Sequence, residues 1–140
     1  MTILVSACLL GQNCKYNGGN NRNERVLRYV DGHEIIPVCP EMLGGLPCPR
    51  KPVEWVGDRV LTRDGDDCTE AFRIGVQRAL AAIDGKQIDL AILQSRSPTC
   101  GVKQIYDGTF SGVRIDGMGA LAKALHERGI PLLDAEDVPD

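Results

Sequence analysis

Apolar residues in this chain fall into short β-branched runs, separated by longer stretches of helical period. Thr2–Ala7 (TILVSA) predicts a short buried strand with Cys8 at its end. Glu34–Val38 (EIIPV) predicts a second strand, and Pro37, which lacks a backbone donor, suits an edge position or an early end. Asp89–Gln94 (DLAILQ) predicts a third strand and Ile130–Asp134 (IPLLD) a fourth. Between them, Asn23 is placed to cap a helix over Glu24–Val30, which Asp31-Gly32 ends. Asp66, Asp67 and Glu70 favour the positive end of a second helix, whose stripe is Phe72, Val76, Ala79, Leu80 and Ile83. A third helix, Gly117–Arg128, carries Met118, Leu121, Ala122 and Leu125 on one face and is closed by Gly129.

The remaining segments break both periods. Gly11–Asn23 (GQNCKYNGGNNRN) is a Gly/Asn loop tolerant of positive φ. Cys39–Pro52 (CPEMLGGLPCPRKP) is expected to be irregular, Trp55–Thr62 to form a β-arm, and Asp107–Gly112 (DGTFSG) to turn sharply. Alternation of strand and helix predicts one three-layer, Rossmann-like α/β domain over residues 1–140. Its sheet should be mainly parallel and its crossovers right-handed.

Composition narrows the function. A net charge of −3, scattered basic residues and few aromatics argue against a nucleic-acid or anionic-membrane binder. The opening MTILVSACLL lacks a basic flank and is too short to span a bilayer, so a cytoplasmic protein is expected. In that reducing compartment six cysteines are core residues, reactive thiols or ligands rather than a disulfide framework.

Three of them share a context. Cys8, Cys39 and Cys100 each follow a predicted strand, and in a parallel sheet all carboxyl ends open on one edge. Clustered thiolates repel unless a cation neutralises them, which points to a metal centre. Three thiolates without a fourth leave a position open, as an iron–sulfur cluster or a zinc ion with a water would. No C-x-x-C occurs, and spacing alone leaves cluster, zinc and separate buried thiols all standing. Cys14, six residues after Cys8 in the Gly/Asn loop, is placed to reach the same edge as a fourth ligand or a resolving thiol, Cys48 sits between prolines close to that loop, and Cys68 near a helix start is read as structural. His33 and His126 lie outside the motif-rich loops and are read as surface residues. Arg50, Arg96 and Lys103 are either solvated charges or, facing the crevice, groups that offset negative charge and attract a polar ring.

The segments SACLLGQNCKYNGGNN, VCPEMLGGLPCPR, ILQSRSPTCG and IYDGTFSG occur in that order and cover essentially the whole chain. Together they resemble a bacterial family long filed as a domain of unknown function, whose characterised members are thiouracil desulfidases. The resemblance implies a [4Fe-4S] cluster held by Cys8, Cys39 and Cys100, with one iron open to the sulfur of a thiolated nucleobase. It also implies acid/base or substrate-positioning roles for Glu41 and Ser97. Among the cations that would face the crevice, Arg96 and Lys103 are the substrate-binding candidates. The implied activity is hydrolytic C–S cleavage, 2-thiouracil to uracil and sulfide. A zinc- or thiol-based redox sensor and a non-catalytic thiolated-nucleobase binder are the competing readings. Cys48 departs from the family pattern, and the sequence leaves the oligomeric state open.

Overall fold

The computed structural model describes residues 1–139. In chain order its elements are β1 (Thr2–Ser6), α1 (Glu24–Val30), β2 (Glu34–Val38), α2 (Pro40–Leu43), β3 (Val53–Val56), β4 (Arg59–Thr62), α3 (Thr69–Ala82), β5 (Leu90–Leu93), β6 (Gln104–Tyr106), β7 (Arg114–Asp116), α4 (Ala120–Glu127) and β8 (Leu132–Asp134). Two 3-10 turns, Ala7–Leu10 and Ala135–Asp137, follow β1 and β8. The main sheet has the order β2-β1-β5-β8 with every pairing parallel. Two antiparallel hairpins, β3–β4 and β6–β7, stand apart from it.

Strand alternation builds the three layers. Ile3, Val5 and Ile92 face one side and pack with Val26 and Val30 of α1. Leu4, Ala91 and Leu93 face the other and meet Ala79 and Ile83 of α3 with Leu121, Ala122 and Leu125 of α4. These side chains are almost wholly buried, and each large one contributes about 1.5–3 kcal/mol by leaving water. The expected α/β architecture is therefore present. So is the Asn23 cap, whose Oδ1 accepts from the amides of Arg25 (3.0 Å) and Val26 (3.1 Å). Pro37 lies on the edge strand β2, as its missing donor requires.

Three elements differ from the expectation. β1 stops at Ser6, and Cys8 lies within a 3-10 turn that Gly11 closes at φ 96°. Pro40–Leu43, expected to be irregular, is a short helix. Pro40 at its first position has φ preset, Cys39 caps it in an extended conformation, and Glu41 sits at the favourable positive end. α4 begins only at Ala120, because Gly119 is extended and packs on the backbone of Thr99 and Cys100. The DGTFSG turn is the tip of the β6–β7 hairpin, and the β-arm is the β3–β4 hairpin with Gly57 at its turn (φ 63°). Among the described residues no helix is long and apolar enough to cross a membrane.

Candidate functional site

The carboxyl edge of the sheet receives three cysteines from three separate segments. Cys8 sits two residues past β1, and its carbonyl accepts from the amides of Gly11 (3.2 Å) and Asn21 (3.0 Å). Cys39 follows β2 directly and caps α2. Cys100 ends the tight turn after β5. In that turn Ser97 Oγ accepts from the amides of Thr99 (3.2 Å) and Cys100 (3.0 Å), and the Gly101 amide donates to the Ser97 carbonyl (2.8 Å). Trp55 of β3 donates Nε1–H to the Pro98 carbonyl (2.9 Å) and meets Phe72 of α3 edge to face, centroids 6.3 Å apart. The hairpin thereby pins the turn to the core.

The sulfurs feel one another. Cys8 is an electrostatic neighbour of Cys39 and of Cys100, and Glu41 bears on all three. Burial pushes the Cys8 thiol up and drives that of Cys100 up to about 12. Cys39 is pulled down to about 7, first by a hydrogen bond from the Cys14 thiol, and Cys14 is correspondingly raised. Each of the other two sulfurs also has polar company. Asn21 donates Nδ2–H to Cys8 Sγ (3.5 Å), and Thr99 Oγ1 reaches Cys100 Sγ (3.6 Å).

Glu41 is held within this edge. Arg50 binds Glu41 Oε2, and its Nη2–H also donates to the Cys14 carbonyl (2.9 Å). The arginine and carboxylate side chains are only 8% and 15% exposed, so Arg50 is a buried partner rather than a surface charge. Thr99 Oγ1 lies 3.4 Å from Glu41 Oε1 and 3.1 Å from Ser97 Oγ. Arg96 lines a cavity of about 400 Å³ together with Asn20, Asn21, Asn23, Gln94 and Glu136, and is ion-paired to Glu136. Its backbone holds φ 59°, a left-handed conformation that side-chain-bearing residues rarely adopt.

The structure thus brings Cys8, Cys39, Cys100, Glu41 and Ser97 to one edge, with Arg96 on the adjoining cavity. Lys103 is engaged elsewhere: its ammonium binds both carboxylate oxygens of Asp137 (3.2 and 3.0 Å) and is half exposed. The amides of Gly108 and Phe110 in DGTFSG are spent on Glu54 (3.0 and 3.2 Å). Cys48 points its thiol at the carbonyls of Asn13 and Lys15, both at 3.2 Å, and Cys68 caps α3. Sequence reasoning does not single out Thr99 or Asn21. Their one local signal is adjacency, Thr99 to Cys100 and Asn21 to the loop that returns to Cys8.

The donor set fits a cluster better than a single ion. Cys8 neighbours Cys39, Cys100 and Cys14, yet among the described residues no three His, Cys, Asp or Glu side chains gather closely enough to hold one metal ion. Zinc needs sulfur at about 2.3 Å around one point. A four-iron cluster takes its cysteines around a wider body, and hydrogen bonds to the sulfurs are among the features that tune it. Cys8 and Cys100 have such donors.

Fold and site define a Rossmann-like α/β protein with three thiols and a buried carboxylate at the carboxyl edge of a parallel sheet. A family model described as 2-thiouracil desulfurase matches residues 3–137. The uncharacterised protein YbbK of Bacillus subtilis (strain 168) is 36% identical over 148 residues, spanning 99% of this chain and 98% of its own. The solved structure of the [4Fe-4S]-dependent thiouracil desulfidase TudS is similar with a TM-score of 0.91 at 36% identity, covering 99% of this chain and 93% of that one. The chain belongs to the 2-thiouracil desulfurase family.

Proposed function

We propose that this protein is a [4Fe-4S]-dependent desulfidase that hydrolyses a thiolated pyrimidine, converting 2-thiouracil and water to uracil and hydrogen sulfide. The observation that carries the proposal is the convergence of Cys8, Cys39 and Cys100 beside the buried carboxylate of Glu41. The likeness to TudS and the family match support it. Cys8, Cys39 and Cys100 would hold the cluster. When bound, it supplies an open Lewis-acidic iron suited to a soft thiocarbonyl sulfur.

The chain's own groups do the rest. Glu41, fixed through Oε2 by Arg50, presents Oε1 as the base that takes a proton from the attacking water. The same carboxyl then returns a proton to the departing sulfur or to the ring nitrogen. The Ser97 hydroxyl, accepting from two backbone amides, contributes through its bond to Thr99, whose hydroxyl reaches Glu41 Oε1. Arg96 and the amide side chains of Asn21 and Gln94 line the cavity where the polar ring enters. No electrons are exchanged with the surroundings. Six free thiols fit a reducing cytoplasm.

The test is anaerobic reconstitution with iron and sulfide, then incubation with 2-thiouracil. Uracil and sulfide released one for one support the reading. Binding without release would make the protein a thiolated-nucleobase binder, and a colourless, zinc-loaded preparation would overturn the cluster.

A further inference from the structure

Ser97 and Glu41 come from opposite sides of the site, and Thr99 stands between them. Thr99 is 2% exposed, and its hydroxyl reaches Ser97 Oγ (3.1 Å), Glu41 Oε1 (3.4 Å) and Cys100 Sγ (3.6 Å). The donor order follows from counting. Ser97 Oγ already accepts two amides, Thr99 N–H and Cys100 N–H, which occupy both lone pairs of a hydroxyl. Ser97 therefore donates its own proton to Thr99 Oγ1. That frees the Thr99 proton for Glu41 Oε1 or for the Cys100 sulfur. Glu41 Oε2 is taken by Arg50, so Oε1 is the carboxylate oxygen that Thr99 meets.

We propose that Thr99 is a positioning residue, the hydroxyl that ties the Ser97 turn to Glu41 Oε1 and aims that oxygen at the attacking water. The inference rests on the desulfidase reading. As water attacks, its oxygen bonds the thiocarbonyl carbon and the C=S π pair moves to sulfur. One water proton passes to Glu41 Oε1, which the Thr99 hydroxyl holds in place. On collapse the Glu41 proton goes to the leaving sulfur and the C–S bond breaks. The carbon-bound hydroxyl gives up its proton to the same sulfur, leaving a carbonyl and hydrogen sulfide. Atoms balance, and no oxidant or reductant enters.

Thr99→Val removes the hydroxyl and keeps the shape, and Thr99→Ser keeps the hydroxyl. In anaerobically reconstituted protein, Thr99→Val is expected to retain wild-type iron and a KM within about twofold. Its kcat should fall roughly 100-fold, as misplacement of a catalytic group can bring about. Thr99→Ser should recover it. Wild-type turnover in Thr99→Val, an equally slow Thr99→Ser, or loss of iron in Thr99→Val each overturns the proposal. A second readout needs no turnover. In the apo-protein, the infrared carboxylate band that Glu41→Gln abolishes should shift in Thr99→Val and stay put in Thr99→Ser, and an unmoved band in Thr99→Val overturns the link. A shifted band alongside a wild type inert toward 2-thiouracil keeps the link and rejects the substrate reading.

Discussion

Gly75 of α3 lies against the carbonyl of Pro40 at the start of α2, and a β-carbon on Gly75 would overlap that oxygen. Gly44, just past α2, meets the Ala71 carbonyl in the same way. The two glycines let α2 settle on α3, and α2 carries Glu41 with Cys39 as its cap. An alanine in a helix interior normally stabilises by about 1 kcal/mol over glycine. Here the sign should reverse, because the obstruction is rigid backbone. Gly75→Ala is expected to cost about 1–3 kcal/mol in urea denaturation and to lower iron loading. Unchanged stability and loading would show that α2 does not depend on this contact.

The Glu41–Arg50 pair is buried, so removing one partner should hurt more than removing both. Arg50→Ala is expected to cost about 3–5 kcal/mol, since it strands a buried carboxylate. Arg50→Ala combined with Glu41→Gln should recover a substantial part of that. Urea midpoints of the two single variants and the double variant check it, and simple additivity would contradict the pairing.

Arg96 combines a left-handed backbone with a place on the cavity wall. Arg96→Gly should relieve roughly 1–2 kcal/mol of local backbone cost while deleting the guanidinium. Losing the partly exposed Glu136 pair should subtract little. The expected outcome is equal or higher stability with a several-fold higher KM for 2-thiouracil. A wild-type KM would separate the cavity from substrate entry.

Much of the architecture is legible in the sequence because it rests on local rules. Strand alternation sets the two faces, Asn23 fits its cap, and Pro37 suits an edge. The three cysteines are legible for a topological reason: each follows a strand, and parallel strands end together. α2 escapes such a reading because its glycines and prolines look like breakers, although Pro40 opens the helix and the glycines enter only from Gly44. Arg50 cannot be told from a surface charge, because its burial is set by Glu41 and the Cys14 loop. Lys103 looks free for substrate, but Asp137, 34 residues away, holds it. The Thr99 hydroxyl takes on meaning only once α2 brings Glu41 beside it.

The most direct test of the central claim is the iron and acid-labile sulfide content of single cysteine variants, purified and reconstituted without oxygen. Cys8→Ser, Cys39→Ser and Cys100→Ser should each lose the cluster and its visible absorption, while Cys14→Ser, Cys48→Ser and Cys68→Ser keep them. Full iron in any of the first three, or loss of iron in Cys48→Ser, would contradict the assignment of ligands.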